Sequence, residues 1–238
     1  MIIGINGYSG SGKDTVGKLI QIAACNDLPE GQDIDDILKD YAHNEWWIEE
    51  KSGWEIKKWA GKLKTIASLL TGIPEEKFED QEFKKTNLGP EWNKTVRTFG
   101  EYYDGHVEDW TDTQTPMTVR DFLQKLGTEG LRTGLHENTW VNALMADYEC
   151  VPADRAPNGW DCNNWIITDT RFPNEAKAIK DAGGIVIRVD RPGVSAINAH
   201  PSETGLDNWD FDHKIMNGSD MVSLLFTVGS ILRKEKLI

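Results

Sequence analysis

The stretch that decides the fold is residues 2–15, which read IIGINGYSGSGKDT from Ile2 to Thr15. An apolar run, a glycine-rich loop and a lysine that opens a helix form a pattern with which proteins hold polyphosphate groups. The glycines let backbone N–H groups turn toward phosphate oxygens, because no side chain stands in the way. We therefore predict a phosphate loop over residues 7–15, with Lys13 reaching the β- and γ-phosphates of a nucleotide.

The loop departs from the motif G-x-x-x-x-G-K-[ST] at its last position, where Asp14 stands and the hydroxyl follows one residue later, as Thr15. In this respect it resembles the loops of several nucleoside monophosphate kinases, adenylate kinase among them. The alternative is a glycine-rich turn that binds nothing, but the preceding strand and following helix favour binding. The candidate ligands of the nucleotide phosphates are Gly7, Gly10, Ser11, Gly12, Lys13, Asp14 and Thr15.

Length and charge limit the classes of partner. The 238 residues are 39% hydrophobic and 27% charged, which indicates a soluble globular protein of one domain, residues 1–238, with insertions. A net charge of −13 argues against binding to a nucleic acid polymer, whose affinity comes mainly from lysine and arginine. The sequence has no apolar run of the ~18 residues that a membrane span needs, and no export signal. We expect no membrane partner and a cytoplasmic location.

The cysteines and histidines do not predict a metal or redox centre. Cys25, Cys150 and Cys162 form no C-x-x-C pair, and reduced structural thiols are the expected state. The five histidines lack the spacing of a zinc site. Magnesium brought in with the nucleotide is the metal to expect.

The order of elements predicts an α/β fold of the phosphate-loop class, a three-layer α/β/α arrangement with a mostly parallel central sheet. Residues 163–193 read as strand, helix and strand, which requires a parallel sheet covered by helices. Helices are also expected at about 13–25, 60–70, 118–127 and 219–236, and a last strand at 211–216. Insertions are expected at about 26–59 and 75–117. The second of these reads as irregular or lid-like rather than as core.

Charged side chains follow two of the predicted strands. Asp169 lies at the carboxyl end of one strand, where ligands gather in an open parallel sheet, so it is a candidate for magnesium together with Thr15, directly or through water. Thr170 replaces the glutamate that often activates water, which favours transfer over hydrolysis. Arg171 and Arg191 follow successive strands and could hold the transferred phosphoryl group. The alternatives are a strand-end cap for Asp169 and surface ion pairing for the arginines, for example Arg171 with Glu175.

A predicted helix carries a second candidate pair. Arg120 and Gln124 are four residues apart and share one helix face, while Asp121 and Lys125 pair on another. An arginine beside a carboxamide suits a phosphate together with a base edge, and a solvated polar face is the alternative.

Several segments, in this order along the chain, resemble the deoxynucleoside monophosphate kinases encoded by tailed bacteriophages. They are Gly12-Lys13-Asp14-Thr15, Ala60-Gly61-Lys62-Leu63-Lys64, Val119-Arg120, Leu123-Gln124-Lys125-Leu126-Gly127-Thr128, Trp140-Val141, Asp169-Thr170-Arg171, Gly183-Gly184, Arg191-Pro192-Gly193, His200-Pro201-Ser202-Glu203 and Asn217-Gly218-Ser219.

The resemblance implies transfer of the γ-phosphoryl of ATP, with Mg²⁺, to a deoxynucleoside monophosphate, in the cytoplasm of an infected bacterial host if the chain is phage-encoded. By position, Lys13, Asp169, Arg171 and Arg191 would be catalytic, and Asn217 would lie in the turn that contacts adenine. A lid is expected over residues 190–206, hinged near Pro192-Gly193. The acceptor would be bound by Lys64, Arg120, Gln124 and Arg132.

Two other functions stay open. One is a phosphate-loop kinase of another small molecule, such as dephospho-coenzyme A. The other is a non-catalytic nucleotide-binding switch, although the chain lacks an Asn-Lys-x-Asp motif for guanine. The sequence does not decide the base preference, the choice between deoxyribose and ribose, or whether the chain forms a homodimer.

Overall fold

The computed structural model of the chain describes residues 1–25, 33–100, 109–152, 160–195 and 204–238. The chain divides into two compact units, one made of Met1–Trp59 and Trp140–Ile238, the other of Ala60–Thr139. The strands are β1 (Ile2–Asn6), β2 (Glu55–Lys57), β3 (Lys94–Gly100), β4 (Asp109–Thr115), β5 (Cys150–Pro152), β6 (Trp160–Cys162), β7 (Trp165–Ile167), β8 (Ile185–Asp190) and β9 (His213–Met216).

The helices follow the apolar periodicity of the sequence. They are α1 (Lys13–Ala24), α2 (Ile34–Lys39), α3 (Tyr41–Ser52), α4 (Gly61–Thr71), α5 (Val119–Gln124), α6 (Thr139–Met145), α7 (Pro173–Asp181) and α8 (Met221–Lys234). Three short 3-10 turns lie at Glu75–Glu79, Phe83–Lys85 and Pro90–Trp92, and a π-helical segment at Lys125–Thr133. The helices predicted near 13, 60, 118 and 219 are confirmed to within a few residues at each end.

The first unit is built on a five-stranded sheet in the order β2-β7-β1-β8-β9, and every neighbouring pair is parallel. β1 is fully buried and lies in the middle, where Ile3 is paired with Ile166 of β7 on one side and Ile185 of β8 on the other. The strand–helix–strand unit predicted over 163–193 is present. Its two strands are not neighbours, because β1 lies between them.

Helices cover both faces of this sheet. Ile3 and Ile5 of β1 belong to a core cluster shared with α1 and α8. Between them, Gly4 points to the opposite face, where an added Cβ would lie 2.3 Å from the Ile179 side chain of α7. Because α1 and α8 pack on one face of the sheet and α7 on the other, the three-layer α/β/α class is confirmed.

The stretch 26–59, predicted as an insertion, contributes directly to the sheet. Its described part holds α2, α3 and β2, and β2 pairs in parallel with β7 as an edge strand. The Gln21 side chain of α1 donates to the Trp54 carbonyl at 2.6 Å, which anchors the start of β2. The sequence analysis missed this strand, and residues 26–32 lie outside the described part.

The second unit has a core of its own. Ala67 of α4, Phe78, Leu88, Val119 and Phe122 form one buried cluster. The expectation that residues 75–117 are irregular rather than core is therefore wrong for Phe78 and Leu88, which are both buried. Phe78 lies in a 3-10 turn, and Leu88 lies between two such turns. The rest of this stretch includes the antiparallel β3–β4 hairpin, and residues 101–108 between its strands are not described.

Local pairing in the second unit differs in part from expectation. Asp121 does not pair with Lys125: it forms a reciprocal capping box with Thr118 at the start of α5, and Lys125 pairs with Glu129 instead. The chain then continues as a π-helix. Leu70, an apolar residue of α4, is 53% exposed.

The expectation of three reduced thiols is wrong. Cys150 and Cys162 are paired positions of the antiparallel strands β5 and β6, and their sulfurs form a disulfide. Cys25 is not part of a disulfide, and its Sγ donates to the Ile48 carbonyl at 3.8 Å. No helix of the described residues is long and apolar enough to span a membrane.

The disulfide predicts the thiol content of the protein. In denaturant without reductant, one thiol per chain should react with a chromogenic disulfide reagent, namely Cys25, and all three should react after reduction. Cys25→Ser should then leave no reactive thiol before reduction. The same count is made on protein whose thiols are alkylated directly in cells, before any reduction. Alkylation of all three cysteines in that sample would contradict the Cys150–Cys162 pairing.

Candidate active site

The candidate site lies at the edge of the main sheet where its strands end. Because β2, β7, β1, β8 and β9 are parallel, their carboxyl ends meet at one edge, and this is where ligands bind in open α/β sheets. The phosphate loop follows β1 there. The other strands are followed at this edge by Lys58, Trp59, Asp169, Arg191 and Asn217.

The phosphate loop has the backbone geometry that the glycines predict. Gly12 adopts the left-handed conformation (φ 94°, ψ 21°) directly before α1, and Gly10 has φ 82°. An added Cβ at Gly7 would lie 2.4 Å from the Val189 carbonyl oxygen, so only glycine fits the close approach to β8. The loop therefore needs glycine at these positions for its own path, whatever it binds.

Two polar groups of the loop fit a phosphate ligand. Among the described residues none hydrogen-bonds the buried Ser11 Oγ. Lys13 Nζ donates to the Tyr8 carbonyl at 3.0 Å, back across the loop at the start of α1. A buried hydroxyl, a lysine at the helix N-terminus and turned backbone N–H groups are together the donors that a polyphosphate chain requires.

Asn217 holds the loop from the far side of β8. Its Nδ2 donates to the Ser11 carbonyl at 2.8 Å, its own N–H donates to the Asp190 carbonyl at 2.7 Å, and it is buried. An added Cβ at Gly12 would lie 2.3 Å from Nδ2. The side chain thus ties β9 to the loop, while the adenine contact of its backbone turn stays a prediction.

Asp169 is fixed at the end of β7 by the backbone of a neighbouring strand. Its Oδ1 accepts a hydrogen bond from the Trp59 N–H at 2.9 Å, just past β2. Burial raises the pKa of the Asp169 carboxyl, against the opposing effects of that hydrogen bond and of nearby Arg171 and Lys58. A nearby cation stabilises a half-buried carboxylate whose ionised form is disfavoured in this way.

Asp14, which replaces the usual hydroxyl of the motif, has a hydrogen-bond donor and a lysine as neighbours. Its Oδ1 accepts from Thr168 Oγ1 at 2.9 Å and lies 3.9 Å from Lys58 Nζ. Its negative charge is one of the causes that raise the pKa of Asp169. Carboxylate and hydroxyl oxygens are ligands that suit Mg²⁺, which would offset the negative charge of phosphate oxygens. That Thr15 and Asp169 hold this ion stays a prediction.

The two arginines at the strand ends are exposed, and one of them contacts the loop. Arg191 Nη1 donates to the Gly10 carbonyl at 3.4 Å. The N–H of Arg171 donates at 2.8 Å to Glu175, which is 2% exposed and caps α7. The predicted lid, residues 190–206, is only partly visible: a turn with Gly193 at φ 76° follows Arg191, and residues 196–203 lie outside the described part.

The four predicted acceptor residues belong to the second unit. Lys64 of α4 is paired with Glu79, Arg120 Nη2 donates to Gln81 Oε1 at 3.4 Å, and Gln124 is exposed on α5. Arg132 lies in the π-helical segment. This unit also has a cavity of about 400 Å³, and the four residues are not among those that line it, which include Ile73, Phe83, Leu88 and Trp92.

Sequence reasoning missed Lys58, Trp59 and Arg188 as residues near the site. Lys58 and Trp59 were hidden because β2 has only three residues, too few to show a period. Arg188 occupies a strand that is otherwise apolar and buried, and a charged residue within such a strand is a sign of a buried polar network.

The fold and the loop define a phosphate-loop α/β nucleotide-binding protein of the kinase type. Comparison with known proteins identifies the family: the model for "Deoxynucleotide monophosphate kinase" matches residues 75–228. The chain belongs to the deoxynucleotide monophosphate kinase family, as its sequence segments suggested.

Individual relatives cover different shares of the chain. The deoxynucleoside-5'-monophosphate kinase of Escherichia phage T5 is 26% identical over 248 residues, 94% of this chain and 92% of that protein. The deoxynucleotide monophosphate kinase of Enterobacteria phage T4 is 31% identical over 116 residues, 49% of this chain and 46% of that protein. A protein of Acanthamoeba polyphaga mimivirus is 38% identical over 96 residues, 37% of this chain and 47% of that protein. The chain thus spans about half the length of the T4 and mimivirus proteins and nearly all of the T5 protein.

The raised pKa of Asp169 predicts a gain of stability when its charge is removed. Its pKa is raised in the folded protein, so the native state loses stability as pH rises above the ordinary aspartate pKa of about 4. Asp169→Asn keeps an acceptor for the Trp59 N–H. It should raise Tm by a few degrees near pH 8 while cutting turnover at least about a hundredfold.

The gain in Tm should shrink as pH falls toward about 4, where the unfolded chain also becomes protonated. Asp181→Asn, at an exposed position on α7, is the matched control and should show no such trend. Parallel Tm–pH curves for wild type and Asp169→Asn would contradict the assigned cause.

Proposed function

We propose that the protein transfers the γ-phosphoryl group of ATP to a deoxynucleoside monophosphate, giving ADP and a deoxynucleoside diphosphate. The observation that carries this proposal is the junction of the phosphate loop, Asp169 and Arg191 at one sheet edge, in a chain of the deoxynucleotide monophosphate kinase family. The T5 relative, which covers 94% of this chain, bears the name of that activity. The cytoplasm, where both substrates occur, is the proposed compartment.

The residues of the loop act by holding charge in place. Lys13, at the N-terminus of α1, keeps its bond to the Tyr8 carbonyl and donates its other ammonium hydrogens to phosphate oxygens, and Ser11 Oγ gains a partner. Arg191 already lies at the Gly10 carbonyl and is placed to neutralise the transferred group. Arg171, which follows β7, is proposed to act on the same group. Phosphoryl transfer depends mainly on such positioning and neutralisation.

The acceptor needs no separate general base. A monophosphate oxygen is already an anion at neutral pH, so the protein has to bring two anions together and exclude water. Mg²⁺, bound with ATP near Thr15 and Asp169, supplies part of the neutralising charge.

We place the acceptor at Lys64, Arg120, Gln124 and Arg132. Arginine beside a carboxamide on one face of α5 matches a phosphate next to a base edge. Lys64 is held by Glu79, and a bound phosphate would have to compete with that carboxylate.

A panel of acceptors tests the function directly. ADP formation from ATP and Mg²⁺ is measured with each of dAMP, dGMP, dCMP and dTMP, their ribose counterparts, and dephospho-coenzyme A. Turnover is expected with one or more deoxynucleotides. Turnover with dephospho-coenzyme A alone, or tight ATP binding without turnover on any acceptor, would contradict the proposal in favour of the other small-molecule kinase or the switch.

The loop lysine is the sharpest single test of the ATP site. Lys13→Ala should reduce kcat by about a thousandfold or more, because it removes a charge that acts on the transferred phosphoryl, with Tm nearly unchanged. Lys177→Ala, at an exposed position on α7, is the control and should keep wild-type turnover. Equal activity of the two variants would exclude the phosphate loop as the catalytic site.

The acceptor assignment is tested by a separate pattern of kinetics. Arg120→Ala should raise the KM for the deoxynucleotide about tenfold, leaving the KM for ATP within about twofold, because a charge-assisted bond to the acceptor alone is lost. Arg97→Ala, at an exposed arginine paired with Asp112 on the β3–β4 hairpin, is the control. A rise confined to the KM for ATP would show that the acceptor binds elsewhere.

A further inference from the structure

The second residue of the phosphate loop, Tyr8, is bound on two sides. Arg188 Cζ lies 4.3 Å from the centroid of the Tyr8 ring, and the Tyr8 hydroxyl donates to Asp207 Oδ1 at 2.9 Å. We name these three residues the Tyr8 clamp. Asp207 lies just beyond the predicted lid, so the clamp joins the loop to a distant part of the chain.

Arg188 is fixed independently of Tyr8. It is 7% exposed, its Nε donates to Asp190 Oδ1 at 2.8 Å, and its Nη1 donates to Asn6 Oδ1 at 2.5 Å. The same Nη1 lies 3.6 Å from Asp207 Oδ1. The guanidinium is therefore held between the ends of β1 and β8 and offers Tyr8 a rigid surface, as a buried charge with several partners does.

The backbone of Tyr8 is the part of the loop that Lys13 contacts. The Tyr8 carbonyl accepts from the Ser11 N–H at 3.1 Å and from Lys13 Nζ at 3.0 Å. Contacts that fix the Tyr8 side chain at two points also fix its Cα, to which the carbonyl carbon is bonded. Whatever fixes the Tyr8 ring and hydroxyl therefore also limits where the loop turn and the lysine ammonium can lie.

We propose that Tyr8 is a positioning residue for nucleotide binding: Arg188 and Asp207 hold its side chain, and its carbonyl in turn holds the loop turn and Lys13 in the arrangement that accepts phosphates. The inference rests on the proposed binding of ATP by this loop. It assigns a role to a loop position whose side chain the motif leaves unspecified, and to a buried arginine that the proposed transfer does not use.

Two variants separate the parts of the clamp. Tyr8→Phe keeps the ring over Arg188 and removes the hydrogen bond to Asp207, while Tyr8→Ala removes both. Tyr41→Phe is the matched control, because the Tyr41 hydroxyl also donates to a side chain, that of Gln21, and its ring also lies against a cation, Lys18 Nζ at 4.3 Å. Tyr41 lies on α3 and has no contact with the phosphate loop among those described.

The measurements are the Kd for ATP by calorimetry, the KM for the acceptor, and Tm without nucleotide. Tyr8→Phe should raise the Kd for ATP about three- to tenfold, the effect of one hydrogen bond to a charged group at a partly exposed site. Tyr8→Ala should raise it further, to about ten- to thirtyfold, since the cation–π contact is also lost. The KM for the acceptor should stay within about twofold, and Tyr41→Phe should leave the Kd for ATP unchanged even if its Tm falls.

A Kd for ATP within about twofold of wild type in Tyr8→Ala would overturn the proposal. So would a lower Tm for the Tyr8 variants with an unchanged Kd, which is the pattern of a purely structural contact. Because the Kd is measured without turnover, a wild-type protein that binds ATP but phosphorylates no monophosphate would refute the proposed function and leave this test intact. A wild-type protein that binds no ATP would refute both.

Discussion

The parallel pairing of β1 with β7 on one side and β8 on the other is the constraint on which the rest of the structure depends. A phosphate loop by itself is a turn with a few donors. It becomes a site because parallel strands place all their carboxyl ends at one edge, so that the ends of five strands surround the loop. An antiparallel neighbour would have placed its carboxyl end at the opposite edge and removed either Asp169 or Arg191 from the loop.

The same constraint explains why the loop is held so closely by its surroundings. Its glycines allow the backbone to approach the Val189 carbonyl and the Asn217 amide, but they also leave the unbound loop with few conformational restraints of its own. The restraints come from outside: the Asn217 side chain holds the Ser11 carbonyl, and Arg191 donates to Gly10. A rigid loop matters because a donor that is already placed needs no reorganisation when charge develops on a phosphate.

The sequence predicted the features that are set by neighbouring residues and missed those that depend on residues distant in the chain. β1, the loop, α1, β8 and α8 are long or strongly patterned, and their positions are confirmed with small shifts at the ends. β2 was missed because three residues show no period, and the π-helix after α5 because its sequence reads as ordinary helix. The Cys150–Cys162 pair depends on the register of two short strands, and the spacing of twelve residues between the cysteines does not encode that register. Trp59 reaches Asp169 across 110 residues, and no local pattern predicts such a contact.

The distribution of charge connects the acidic chain to its proposed chemistry. With a net charge of −13, the protein as a whole repels nucleotides, so binding depends on a few cations held at one place. At the sheet edge these are Lys13, Lys58, Arg171 and Arg191, and they face two carboxylates, Asp14 and Asp169. Asp169 is the member of this group that lowers the stability of the fold, because burial raises its pKa and the folded protein has to keep it ionised near neutral pH. A metal ion that arrives with the substrate would remove this loss of stability, because it stabilises the ionised carboxylate. This is the electrostatic argument for our proposal that Mg²⁺ binds beside Thr15 and Asp169 rather than at one of the exposed acidic side chains.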